Sequence, residues 1–411
     1  MNRIPRLLWP PLLPLLGVLL SAPETSGAQP EPGESGRWVG TWAAAPQLPE
    51  AHNVPPAPGI EGNTLRQVVR VSIGGRRIRV RFSNAFGRGP LTIAEARIAQ
   101  PAGEHRIDPA TDRRLTFSGE PSATIPAGAP LLSDPIDFPL APLSSVSVSI
   151  YVSQAPAEIT GHPGARCTSY LQAGRHTAAA ELPEPVTFER WYLLAGIDVH
   201  TPSASGAVAV LGDSLTDGRG STTNQNHRWT DFLAERLAQN GEIGVLNLGL
   251  GGNRLLADGL GPNALARLDR DVLAQAQVRW LVVLEGINDI GTADLADPAD
   301  VPALVHRITS AYEQIVRRAQ ARGIRVYGGT LLPFEGSFYF TPEREAARRA
   351  VNDWIRTAGR FDGVVDFEQA VRDPENPGRL LPELDSGDHL HLNDAGYRRL
   401  AETIDIDRLF R

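Results

Sequence analysis

Val208-Ala209-Val210-Leu211-Gly212-Asp213-Ser214-Leu215-Thr216-Asp217-Gly218 is the stretch from which the fold is read. A short apolar run stops in a glycine-flanked polar turn, the pattern of a buried parallel strand that delivers side chains to a sheet edge. Ser214 then stands just past the carboxyl end of that strand, where open α/β sheets build their sites.

Downstream of Gly206, short apolar runs alternate with longer amphipathic stretches. The patterning predicts strands over residues 207–211, 243–248, 280–285, 324–331 and 363–367. Helices are predicted over 229–239, 263–276, 301–321, 342–358 and 394–404. Pro342 suits a first helical turn and Asp394 a helix cap. Five βα units in series imply a five-stranded parallel sheet flanked by helices, with right-handed crossovers.

Upstream, as far as about His200, the dominant period is two. Val69, Val71 and Ile73 alternate with polar residues, Gly74-Gly75 suits a tight turn, and Ile78, Val80 and Phe82 alternate again, which predicts a hairpin. Val146, Val148, Ile150 and Val152 repeat the pattern. An all-β sandwich or jelly-roll domain is therefore expected over 37–200, ahead of an α/β domain over 206–411. A length of 411 residues fits two domains. Arg76-Arg77-Ile78-Arg79-Val80-Arg81 reads as the wet face of a strand, with a phosphate-binding stripe as the alternative.

The net charge of -7 argues against a nucleic-acid partner. Arg3 and Arg6 precede an apolar stretch over 7–20, broken by Pro10, Pro11 and Pro14, and Ser26-Gly27-Ala28 offers a cleavage site. Residues 1–28 are expected to be a secretory signal, which puts the protein outside the cell or in the periplasm with no stable membrane insertion after its removal. A permanent anchor is the rival reading. Residues 29–36 are Pro/Gly/Glu-rich and are expected to be a flexible lead. Cys167, the one cysteine, cannot form an internal disulfide and reads as a small buried residue, with a nucleophile served by His162 as the alternative.

Four of the predicted strands end in polar or glycine-rich sequence: Gly212-Asp213-Ser214-Leu215, Asn247-Leu248-Gly249-Leu250-Gly251-Gly252-Asn253, Glu285-Gly286-Ile287-Asn288-Asp289 and, after the fifth strand, Asp388-His389-Leu390-His391-Leu392-Asn393. In a parallel sheet these ends share one edge. A serine hydroxyl is a poor nucleophile until a base takes its proton. His391 is the candidate base, and Asp388 can hold its ring in the right tautomer. The Ser214 N–H and the Asn288 amide can donate to an oxyanion. Asp213 is expected to support the turn. His389 lines the site or packs beside it; a metal cluster of His389, His391 and Asp388 is the alternative, and neither a metal nor an organic cofactor is expected.

The four blocks, in order over 206–411, resemble those of the GDSL-type, or SGNH, hydrolases. The resemblance implies a flavodoxin-like sheet, a catalytic Ser214, Asp388 and His391, and an oxyanion hole from Ser214, Gly252 and Asn288. Gly252 takes its place by counting from Asn247; its neighbour Gly251 is the alternative. Thr41-Trp42-Ala43-Ala44, Asn84-Ala85-Phe86-Gly87 and Arg228-Trp229 are similar to secreted bacterial members with an N-terminal β-domain.

The expected activity is that of a secreted serine esterase acting through an acyl-enzyme on a small-molecule or polysaccharide ester. A short acyl group, including an O-acetylated carbohydrate, comes first. A lipase or phospholipase of longer acyl preference, and a carbohydrate-binding protein with a vestigial hydrolase domain, are the rivals. Trp38, Trp42 and Trp191 are candidates for a sugar platform or for buried anchors. Phe334, Phe338, Tyr339 and Phe340, after the fourth strand, either line an acyl pocket or pack their loop. Asp217, Asn224, Asn226 and His227 either line the pocket or are solvated. Oligomeric state is left open.

Overall fold

In the computed structural model, which describes residues 36–239, 243–297 and 299–410, the alternating segments of the first half pair as antiparallel strands. The expected signal and most of the flexible lead lie outside the described residues. One sheet runs, in spatial order, Arg37–Ala43, Leu194–Thr201, Gly75–Ser83 and Pro130–Leu132, with Ile136–Leu140 also paired to Gly75–Ser83. A second runs Val186–Phe188, Ser169–Ala173, Asn63–Arg70, Ser145–Gln154, Leu91–Ala99 and Arg113–Leu115, with Ala123–Ile125 on Leu91–Ala99, and Gly161–His162 pairs with Trp191–Tyr192 in a small third sheet. Alternation sends Ile78, Val80 and Phe82 of the first, and Leu65, Val69, Val146, Val148 and Ile150 of the second, into the buried core.

The expected hairpin about Gly74-Gly75 does not form. Asn63–Arg70 pairs with Ser145–Gln154 and Ser169–Ala173, whereas Gly75–Ser83 pairs with Leu194–Thr201. The two glycines carry the chain from one sheet to the other. Two strands alternate alike whether they pair together or enter opposite layers, so local pattern could not separate the two outcomes.

The second half builds a five-stranded sheet from β1 (Gly206–Gly212), β2 (Ile243–Gly249), β3 (Val278–Leu284), β4 (Arg325–Gly329) and β5 (Gly363–Val365). The spatial order is β2-β1-β3-β4-β5 and every pairing is parallel. Each residue of β1 is buried, as a central strand covered on both faces requires. Helices Trp229–Ala238, Asp300–Gln320, Pro342–Thr357 and Asp394–Thr403 flank it. On Asp300–Gln320 the buried Leu304, Ile308, Tyr312, Ile315 and Ala319 recur at helical spacing.

Two local expectations change. Asn393, not Asp394, caps the last helix, accepting from the Gly396 N–H at 3.0 Å. Asp394 instead accepts from Thr222 and pairs with His227. The helix expected over 263–276 is a short α-turn, Ala264–Leu268, that widens into a π-turn over Asp269–Leu273. Asp271 of the π-turn comes 3.2 Å from the fully buried Arg267.

Gly36–Arg411 packs as one compact unit. The strand Arg37–Ala43 meets the α/β half, where the Gly40 N–H donates to Ala276 O at 3.1 Å. The Val245 N–H donates to Ser72 Oγ at 2.9 Å, and Arg70 pairs with Glu235 at 3.1 Å. The change from antiparallel to parallel sheet near residues 201–206 is therefore a change of architecture inside one packed body. No helix among the described residues is long and apolar enough to cross a membrane.

Candidate active site

Ser214 opens a one-turn helix, Ser214–Asp217, directly after β1. Asp213 is its cap: the carboxylate accepts the Leu215 N–H at 2.9 Å. Burial, and after it the charge of Asp289, pushes the Asp213 carboxyl up to about 7 against the pull of that N–H. Beneath the turn, the guanidinium of Arg267 ties the scaffold together. It donates to Leu248 O at 2.7 Å, Gly212 O at 2.9 Å and Asn253 Oδ1 at 2.9 Å, so one side chain satisfies the carbonyl ends of both β1 and β2. Glu285, 3.6 Å from Arg267 and fully buried, has its carboxyl raised well above the usual range, by burial and then by the nearby Asp213 charge.

Across the edge, Ser214 Oγ and His391 Nε2 lie 2.8 Å apart, although 177 positions separate them in the chain. His391 Nδ1 is 2.6 Å from Asp388 Oδ2. Asp388 Oδ1 accepts the backbone N–H groups of Leu390 and His391 at 3.0 and 2.8 Å. Burial alone would raise the Asp388 carboxyl; the His391 N–H and the imidazole override it and hold the group at about 2. Burial lowers the His391 pKa from 6.5, Asp388 opposes that, and Arg219 and Arg166 add to it. The imidazole is thus a neutral base at neutral pH, with a fixed anion behind it.

The three residues expected to donate to an oxyanion line one cavity. The Ser214 and Gly252 N–H groups have no protein acceptor among the described residues. Gly252 is in the left-handed region at φ +69°, which favours glycine, while Gly251 beside it is not. Asn288, from the short helix Ile287–Gly291 after β3, spends one amide N–H on Asn253 O at 2.9 Å and keeps the other. Its Oδ1 accepts the Tyr339 hydroxyl at 3.0 Å, which fixes which way the amide faces. Asp289 accepts from the Leu255 and Leu256 N–H groups at 2.8 and 2.9 Å and locks the Gly252 turn to the end of β3.

These groups open into a cavity of about 410 Å³. One wall comes from the first half of the chain: Gln47, Glu50, His52, Asn53, Pro163, Gly164 and Arg166. Asp217 is the joint. Its Oδ1 is 2.9 Å from Nε2 of the buried His162, whose Nδ1 bonds Ala45 O at 2.9 Å. Gly164 must be glycine there, because a Cβ would stand 1.6 Å from Asp217 Oδ2. Sequence reasoning missed this wall, the Arg267 clasp and the Tyr339 bond. Only the polar loop after Ser214 and the aromatic run near Tyr339 signalled any of it.

Other candidates fall elsewhere. Cys167 Sγ donates to Val68 O at 3.3 Å, and burial pushes its thiol up to about 11; His162 is engaged with Asp217 and Ala45 instead. Trp42 and Trp191 are buried edge to face, 5.1 Å apart, and Arg79 covers the ring of Trp38. Asn224 clamps Thr168 by two hydrogen bonds of 2.7 and 2.8 Å. His389 pairs with Asp385. Phe334 is buried, while Phe338, 76% exposed, stands on the cavity rim with Tyr339. Among the described residues no group of three or more His, Cys, Asp or Glu side chains could hold a metal ion.

A parallel sheet that carries a hydroxyl, an imidazole and a carboxylate in line at its carboxyl edge defines a hydrolytic α/β architecture. More narrowly, residues 210–399 match the GDSL-like Lipase/Acylhydrolase family, and this part of the chain is a GDSL-like lipase/acylhydrolase domain, of a family of ester hydrolases. Among solved structures, a lipase/acylhydrolase from Enterococcus faecalis is 19% identical, with 49% of this chain and 96% of that chain covered and a TM-score of 0.38. A carbohydrate acetylesterase from Sinorhizobium meliloti is 16% identical, covering 50% of this chain and 99% of that one at a TM-score of 0.38. A GDSL-like lipase from Bacteroides thetaiotaomicron is 19% identical, covering 49% and 86% at 0.35. No curated protein matches the chain.

Proposed function

We propose that the protein is a serine esterase that cleaves carboxylic esters through an acyl-enzyme. The observation that carries the reading is the chain Ser214 Oγ, His391 Nε2, His391 Nδ1, Asp388 Oδ2, with links of 2.8 and 2.6 Å. His391 takes the hydroxyl proton as Oγ attacks the carbonyl carbon. The oxyanion then sits among the Ser214 N–H, the Gly252 N–H and the Asn288 amide. Collapse expels the alcohol, which takes the proton from His391. Water, activated by the same imidazole, releases the acid and restores Ser214.

Short acyl groups, including O-acetyl groups on a carbohydrate, are the proposed substrates, and export under residues 1–28 is the proposed route to them. Replacing Ser214→Ala should abolish hydrolysis of p-nitrophenyl acetate; near-normal turnover would end the reading. A series of p-nitrophenyl esters should fall in kcat/KM as the acyl chain lengthens, and a maximum at long chains would assign a lipase instead. Recovery of mature protein beginning near residue 29, outside the cytoplasm, would be the check on export.

A further inference from the structure

The cavity that holds Ser214 and His391 is also lined by two arginines from opposite halves of the chain, Arg166 and Arg219. Several other arginines pair with carboxylates: Arg70 with Glu235, Arg79 with Asp198, Arg228 with Asp231, Arg348 with Glu345 and Glu368. Neither Arg166 nor Arg219 has a carboxylate within 4 Å among the described residues. Arg166 Nε is buried with no hydrogen-bond partner among the described residues, and a buried guanidinium N–H left unmade is costly.

The backbone at Arg166 is in the left-handed region, φ +47°, where a residue with a side chain is uncommon. Neighbours on both sides hold it there. Ala165 O accepts from Arg228 Nη2, Arg166 O accepts the Asn224 N–H at 3.0 Å, and Asn224 clamps Thr168. Strain that is held in place at a cavity rim is a mark of function. Of the acidic groups that share the cavity, Asp217 is bound to His162 through Oδ1 while its buried Oδ2 has no hydrogen-bond partner among the described residues, and Glu50 accepts the amides of Gln47 and Asn53 at 2.7 Å each.

We propose that Arg166 and Arg219 form an anion-recognising subsite, so that the preferred ester carries a carboxylate, phosphate or sulfate group close to its scissile bond. The subsite rests on the esterase reading given above. The charge can reside on the acyl side or on the alcohol side, and matched probes separate the two. On the acyl side, 4-nitrophenyl hydrogen glutarate is compared with 4-nitrophenyl valerate. On the alcohol side, 4-acetoxybenzoate is compared with methyl 4-acetoxybenzoate. Each rate is divided by that of spontaneous hydrolysis.

In the wild-type protein at least one anionic probe should exceed its neutral match in kcat/KM by about tenfold or more, as charge-assisted hydrogen bonds imply. The ratio should shrink with added salt. It should collapse toward one in Arg219→Gln, at an exposed position, and in Arg166→Gln. Equal or lower rates on both anionic probes, with the neutral esters turned over, overturn the subsite and leave the esterase reading standing. A preference that survives both substitutions also overturns it. The Ser214→Ala protein gives a readout without turnover: it should bind 4-acetoxybenzoate or the glutarate ester more tightly than the neutral match. Equal binding refutes the subsite whether or not any ester is hydrolysed.

Discussion

Replacing Tyr339 by phenylalanine removes one oxygen and leaves the ring seated against Gly291, where a Cβ would come within 2.3 Å of it. The lost bond is the 3.0 Å contact to Asn288 Oδ1. Asn288 is buried, so its acceptor would be left unmet, at a cost of roughly 1–3 kcal/mol, and the amide would be freer to turn. The second anchor, from Asn288 Nδ2 to Asn253 O at 2.9 Å, remains and limits the damage. Loss of a whole oxyanion donor costs about 3–4 kcal/mol, which sets the ceiling. The expected effect is a fall of about tenfold in kcat with KM nearly unchanged, because the donor is engaged chiefly when charge develops on the carbonyl oxygen. The assay is steady-state hydrolysis of p-nitrophenyl acetate by the wild type, Tyr339→Phe, Asn288→Ala and the double variant. If Tyr339 acts by holding the amide, it should have little further effect once Asn288 is gone. A wild-type kcat in Tyr339→Phe, or an equal loss in the Asn288→Ala background, would refute the positioning role.

Asp388→Asn should lower kcat by roughly 10³–10⁴-fold with little loss of structure, since His391 would then face an amide that cannot stabilise the imidazolium; a circular dichroism spectrum and a rate measured side by side decide it. The activity should rise with pH through an inflection below 6.5 and level off near neutrality, because burial, Arg219 and Arg166 disfavour the imidazolium against the pull of Asp388. Arg219→Gln removes one of those charges and should move the inflection up; a downward move contradicts the assignment. Asp388 stabilises the fold above its ordinary value of 3.8, and that contribution is lost as pH falls toward about 2, so acid titration of the melting temperature should show a smaller drop in Asp388→Asn. Gly164→Ala drives a methyl group into Asp217 and should cost about 1–3 kcal/mol of stability together with activity; an unchanged melting temperature would show that the contact relaxes freely.

The parallel sheet was readable because its signals are local. Apolar runs such as Val208–Leu211 end at glycine or a polar residue, and helical periodicity fills the intervals between them. The positions of Ser214 and Asn288 were readable for the same reason, since each lies within a few residues of a strand end, whereas Asp388 and His391 follow the helix Phe367–Val371 and were readable from their own close spacing. What escaped was long-range. The Tyr339–Asn288 bond joins residues 51 apart, and His162–Asp217 joins residues 55 apart. Nothing in either neighbourhood announces the other. The strands on either side of Gly74-Gly75 show the same limit, since alternation gives the facing of a strand but not its partner. The buried Arg267 likewise reaches Gly212 O, 55 residues earlier in the chain.

The mixed origin of the cavity wall bears on how such an enzyme can change its diet. Gln47, Glu50, His52 and Asn53 line the cavity without supplying the hydroxyl, the imidazole or the carboxylate. Substitutions there can retune which esters fit while the proton-moving parts stay as they are. A laboratory library confined to those four positions would sample new preferences at little risk to the reaction itself, whereas cutting the protein near residue 206 would discard that wall along with the scaffold that faces it.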